Sequence, residues 1–158
     1  MRASGQRSRG PHPSPMHELS HCVTATCDVT AQDAFAFLAD PRRLGSWALG
    51  CWEARPISAD TVRGRSLLDG ATSVVRVCGA PERLTVDYGI GADGEELLPR
   101  ISVRVVPGPS VGRRPDQCLV TMLAWRPSDM SDERWARLVA SHEVEILLLK
   151  ARIEENPA

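Results

Sequence analysis

The stretch from Thr30 to Trp47, TAQDAFAFLADPRRLGSW, constrains the fold more than any other part of the chain. It predicts two short helices joined at a proline. Thr30 stands where an N-cap hydroxyl is wanted, and Asp33 occupies the reciprocal capping-box position. Ala34, Phe35 and Leu38 then share one helical face. Asp40-Pro41 ends the first helix, because a residue before proline is driven out of the α region. Arg42 to Trp47 supplies a second turn or two that ends on a tryptophan.

On both sides of this pair the pattern changes from helical to alternating. Before it, Val23, Ala25, Cys27 and Val29 alternate with Thr24, Thr26 and Asp28, which predicts a half-buried strand over Cys22–Val29. After it, strands are expected near Cys51–Ile57, Val62–Leu68, Thr72–Cys78, Leu84–Ile90, Leu98–Val106 and Cys118–Arg126. The breakers between them are Asp69-Gly70, Gly79-Ala80-Pro81, Gly91-Ala92-Asp93-Gly94 and the loop from Pro107 to Pro115. No helix separates these strands, so they read as an antiparallel meander rather than parallel βαβ units. A long helix closes the chain. Ser131 is its expected N-cap, and Trp135, Leu138, Val139, His142, Ile146, Leu149 and Ile153 form one apolar stripe. Asn156-Pro157 stops it, and its length is about 33 Å at 1.5 Å per residue.

The bulk properties exclude several classes of function. The 158 residues suffice for one domain with a sizeable core. A net charge of -1 gives no field to recruit nucleic acid or an anionic membrane. No apolar run approaches the length of a bilayer span, and no secretory leader is expected behind Arg2, Arg7 and Arg9. The five cysteines, Cys22, Cys27, Cys51, Cys78 and Cys118, form no CxxC pair and read as free thiols of a cytoplasmic protein. Residues 1–18 are expected to be a disordered tail, with Met16 as an alternative start, and residues 19–156 a single domain.

This order of elements resembles the START / birch-pollen-allergen superfamily, also called SRPBCC or polyketide cyclase/dehydrase and lipid-transport proteins. The resemblance is carried by Val29-Thr30-Ala31, by Ala34 to Pro41, and by Leu44 with Trp47. It continues in Arg104-Val105-Val106-Pro107-Gly108 and in Met130 to Trp135 at the start of the last helix. It implies an α+β helix-grip fold. A curved antiparallel sheet of about seven strands wraps a long C-terminal helix, with two short helices between the first two strands. It further implies an internal, mainly apolar cavity for a lipid- or polyketide-like ligand. These motifs specify positions in a fold and no shared catalytic set.

His142 is the titratable residue of most interest, because it interrupts the apolar stripe of the last helix and faces the sheet or the cavity. The plainer alternative is a histidine bonded to a neighbouring side chain or carbonyl. Glu145 lies one turn on and can flank the same face, whereas Glu143 points away. Tyr88 shares a strand face with Leu84, Val86 and Ile90, which places its hydroxyl either against a ligand or at a wet rim. These three are the catalytic candidates. Trp47 and Trp52 flank the segment where such a cavity opens. Arg76 has apolar neighbours on both faces; turned inward, it would hold a carboxylate or enolate oxygen. Trp125 aligns with Leu119, Thr121 and Leu123, and Trp135 opens the helix, so both read first as core. With Leu138 and Ile146 they complete the expected ligand-binding set.

His17-Glu18-Leu19-Ser20-His21 matches the letters of HExxH. That zinc motif needs a helix, and here a Pro-rich tail precedes and a strand follows, so no metal is expected. No phosphate loop, dinucleotide fingerprint or nucleophile elbow is present, and no cofactor is expected. Three functions fit: binding of a hydrophobic or amphipathic small molecule, a cofactor-free cyclase or dehydratase using the same cavity, and a non-catalytic interaction module.

Overall fold

The computed structural model describes residues 19–155. The expected tail, the alternative start at Met16, His17 and Glu18 of the HExxH-like stretch and the Asn156-Pro157 stop lie outside the described residues. Ser20 and His21, the end of that stretch, already belong to a strand.

The element order is β1 (Ser20–Cys27), α1 (Ala31–Ala39), α2 (Pro41–Leu44), β2 (Trp52–Pro56), β3 (Thr61–Arg65), β4 (Thr72–Ala80), β5 (Thr85–Gly91), β6 (Leu98–Pro107), β7 (Cys118–Trp125) and α3 (Asp132–Glu155). The seven strands form one antiparallel sheet in the order β1-β7-β6-β5-β4-β3-β2. Every sequential pair after β1 is a hairpin, and β1 returns to pair with β7. This is the expected helix-grip arrangement.

Local chemistry sets the helix pair. The Thr30 hydroxyl accepts from the Asp33 amide at 3.2 Å, the expected N-cap, and the Asp33 carboxylate turns back to accept from that hydroxyl at 2.7 Å. Asp40 serves both helices: it closes α1 and caps α2, accepting from the Arg42 amide at 3.0 Å. The Arg42 guanidinium beside it holds the Asp40 carboxyl below its usual range. α1 buries Ala31, Ala34, Phe37 and Leu38, with Phe35 only half-buried on the flank. After α2 the chain turns directly under β2. A Cβ on Gly45 would stand 2.3 Å from the Ala54 amide nitrogen, so only glycine allows this approach.

The long helix starts as expected, with the Ser131 hydroxyl accepting from the Arg134 amide at 3.3 Å. It buries Trp135, His142, Glu145, Ile146, Leu149 and Ile153. Val103, Val105, Val120 and Met122 from the sheet form the core beneath, each no more than 1% exposed. Against β1 the helix also makes polar ties: Lys150 donates to the Thr26 carbonyl at 2.8 Å and Glu154 accepts from the Asp28 amide at 2.8 Å. At the opposite edge β2 is short, shifts register between Trp52 and Arg55, and ends at Pro56.

Gly45→Ala should therefore lower stability by about 1–3 kcal/mol, through forced displacement of β2. Urea denaturation of the variant checks this; an unchanged midpoint would mean that β2 yields without cost.

Candidate functional site

The helix-covered face of the sheet and α3 do not meet along their whole length. Between them lies a cavity of about 680 Å3. Val75, Tyr88, Ile90 and Ile101 line it from the sheet, Leu44, Trp47, Ala48 and Cys51 from the segment after α1, and Leu138, Ser141, His142 and Glu145 from α3. Charged residues including Arg100, Asp129, Arg134 and Arg137 border it toward solvent. A shallower depression of about 790 Å3 lies where α1 and α2 meet the β2–β3 turn, lined in part by Asp40, Arg42 and Pro56. Its charges are already paired, Asp40 with Arg42 at 2.9 Å, and no unsatisfied buried group faces it. The buried polar side chains His142 and Glu145 line the space between the sheet and α3.

His142 is 1% exposed. Its Nδ1 lies 3.1 Å from Nδ1 of His21, with ring centroids 5.4 Å apart. Its Nε2 is buried and has no hydrogen-bond partner among the described residues. Burial, with His21 beside it, pushes its pKa down to about 4, so the ring is neutral at pH 7. Glu145 is 7% exposed and accepts from the Leu49 amide at 2.6 Å. Burial pushes its carboxyl up to about 7, against the opposing pull of the Leu49 and Gly50 amides. A neutral imidazole and a carboxyl raised by burial thus stand one helical turn apart on the cavity wall.

Tyr88 is 2% exposed, and its hydroxyl donates to the Leu38 carbonyl at 2.9 Å. Its ring stands edge-on to Trp47 at 5.8 Å between centroids. Burial raises its pKa. The hydroxyl is therefore engaged with α1, neither turned to a ligand nor wet at a rim, and the ring is what borders the cavity.

The other expected residues divide. Trp47 and Leu138 line the cavity. Trp135 and Ile146 are buried at 6% and 5% exposure, outside the lining. Trp52 is half-buried on β2 and also outside it. Arg76 points to solvent: Val75 and Val77 take the inner face, and its guanidinium lies 3.9 Å from the Asp60 carboxylate. Trp125 is not core. Cys118, Val120, Met122 and Ala124 hold the inner face of β7, leaving Trp125 at 43% exposure at the strand end, where it touches the cavity margin. In sequence His21 stands out only as the last residue of the HExxH-like stretch. It shares the parity of Val23, Ala25 and Cys27, and extending the alternation back by one step turns it inward. Glu143 is exposed as expected, yet its carboxylate reaches to 3.6 Å from His21 Nε2.

The two buried groups affect stability with opposite sign. Glu145 is raised on folding from 4.5 to about 7, so its contribution is full below pH 4.5 and is lost as pH rises toward 7. His142 is lowered from 6.5 to about 4, so its contribution is full above pH 6.5 and is lost as pH falls toward 4. Across the shared window the slopes oppose each other. Glu145→Gln should leave stability rising with pH between about 4 and 6.5, and His142→Asn should leave it falling between about 4.5 and 7. Each slope should reach up to about 1.4 kcal/mol per pH unit in urea titrations. Parallel slopes in the two variants would contradict the assignment.

No family model matches the chain, and no curated protein does. Solved structures do. A START superfamily protein from Mycobacterium smegmatis has a TM-score of 0.60 at 14% identity, covering 87% of this chain and 98% of that one. The Aha1 dimer from Colwellia psychrerythraea has a TM-score of 0.62 at 16% identity, covering 86% and 96%. The di-domain ARO/CYC BexL of the BE-7585A biosynthetic pathway has a TM-score of 0.62 at 15% identity; 87% of this chain matches 48% of that one. At such identities the likeness speaks for architecture alone. Taken with the strand order and the long C-terminal helix, it establishes that this chain has the START-like (SRPBCC) helix-grip fold.

Proposed function

We propose that the protein binds an amphipathic small molecule, lipid- or polyketide-like in character, in the cavity between the sheet and α3. The observation that carries this reading is the cavity itself: about 680 Å3, with apolar walls and the two buried polar groups His142 and Glu145 on one side. Apolar walls supply affinity, and a few convergent polar groups fix orientation. START and ARO/CYC proteins among the structural neighbours support a ligand-holding use of the fold. No helix among the described residues is long and apolar enough to cross a membrane. The five free thiols support a reducing, cytoplasmic setting.

A second reading, a cofactor-free cyclase or dehydratase, is favoured by one observation. His142 offers a neutral nitrogen without a partner among the described residues as a hydrogen-bond acceptor, and Glu145, pushed up to about 7 by burial, can give or take a proton near neutral pH. Catalysis would then rest on positioning and proton transfer.

Native mass spectrometry of the purified protein, followed by solvent extraction, tests the first reading. The expected result is a co-purifying molecule that dissociates on denaturation. A Cβ on Gly50 meets nothing within 4 Å, and Gly50 lines the cavity. Gly50→Leu should therefore keep the fold and lower occupancy several-fold; unchanged occupancy would place the ligand elsewhere. Incubating the extracted molecule with fresh protein separates the readings. Loss of water or a new ring that depends on His142 marks an enzyme, and an unaltered molecule marks a carrier.

A further inference from the structure

Three side chains outside the apolar wall form a line from solvent to the cavity. The Glu143 carboxylate, 65% exposed, stands 3.6 Å from Nε2 of His21, and Nδ1 of His21 meets Nδ1 of His142 at 3.1 Å. Nε2 of His142 is buried and unpartnered among the described residues, and His142 lines the cavity. Only one proton can occupy the gap between the two Nδ1 atoms, and the neutral imidazole carries one proton on one of its nitrogens. The negative charge of Glu143 favours that proton of His21 on Nε2. Nδ1 of His21 is then bare and accepts, so Nδ1 of His142 must be the donor. Nε2 of His142 is left as a lone pair with no proton.

We infer that Glu143 and His21 set the tautomer of His142 so that the cavity presents a buried hydrogen-bond acceptor. The ligand it selects carries a hydroxyl, phenol or enol donor at its buried end. This rests on the cavity being the binding site and specifies the ligand that the site takes. What singles out His142 is that its Nε2 is the buried side-chain polar atom among the described residues that has no partner, whereas its polar neighbours each already hold one. The Tyr88 hydroxyl is committed to Leu38, the Ser141 hydroxyl donates to the Leu138 carbonyl at 2.9 Å, and Glu145 holds the Leu49 amide. Arg100, Asp129 and Arg134 lie toward solvent. An isostere lacking the donor would leave the His142 nitrogen buried and unpaired, and a site with an unpaired polar group rejects such a ligand. Glu143 and His21 are positioning residues, since neither is on the cavity wall.

The test uses the full chain at about pH 8, where imidazoles of ordinary basicity are neutral. Nitrogen-15 NMR of the histidine rings reads the tautomer directly. Nδ1 of His142 should appear protonated and Nε2 bare. Glu143→Gln removes the charge at an exposed position and should move His142 toward a mixture of tautomers, a change that a merely structural role for Glu143 does not produce. The probes are 2-naphthol and its methyl ether, which differ in the donor hydrogen. The naphthol should bind about tenfold more tightly, and Glu143→Gln should cut that preference by half or more. A proton found on Nε2 of His142 in the unaltered protein overturns the inference whatever binds. Equal binding of both probes also overturns it while leaving the cavity as a binding site. Binding of neither overturns the cavity reading and the ligand assigned to it.

Discussion

A buried carboxyl joins the two sides of the grip. α3 packs chiefly along β1, at one edge of the sheet, while the strands that follow the helix pair lie at the other edge. Glu145 bridges the gap by holding the Leu49 amide, in the short 3-10 turn that feeds β2. Because the carboxyl is removed from water, the bond is costly to break: a buried polar group left bare forfeits about 1–3 kcal/mol. A hydrocarbon at this place would pack against α3 but would leave the turn with nothing to accept from it. The carboxyl therefore fixes where the far edge of the sheet sits relative to the helix.

That junction also explains why an interior space survives. Ile146, Leu149 and Ile153 bury the C-terminal half of the helix in the core and Glu145 holds the turn before β2, whereas the cavity is lined from the helix by Leu138, Ser141 and His142 as well as Glu145. Serine and histidine do not fill what a leucine and a phenylalanine would. Trp47 and Tyr88 stand across from them as a rigid edge-to-face pair, pinned by the Tyr88 bond to Leu38, and cannot collapse inward. A close-packed protein interior tolerates few voids of this size. One kept open by interlocked aromatic rings and polar helix residues is a built feature of the fold.

Much of this is legible in the residues. Thr30, Asp33 and Asp40-Pro41 announce the helix pair, because capping and proline act locally and need no tertiary partner. The stripe from Trp135 to Ile153 sets the length and buried face of α3, and placed His142 inside. What failed was facing on strands whose two sides are both apolar. Val74, Val75 and Val77 surround Arg76, and Leu119 and Leu123 accompany Trp125, so alternation gave no parity to choose by. His21 is a different case: its letters match the end of an HExxH motif, while its position continues the alternation of Val23, Ala25 and Cys27. The partners of Glu145 and Tyr88 lie far away in the chain, and a contact between distant segments leaves no mark in local spacing.

The sheet ends have a consequence for how this molecule meets others. At the far end of β1, side chains of α3 take backbone groups that do not face β7: Lys150 the Thr26 carbonyl and, just past the strand, Glu154 the Asp28 amide. On β2 the ladder lasts five residues, slips in register and stops at a proline. At these places each margin interrupts the row of amides and carbonyls on which a foreign strand could grow. A companion protein, or another copy of this one, has to approach through side chains and shape; the backbone will not template it.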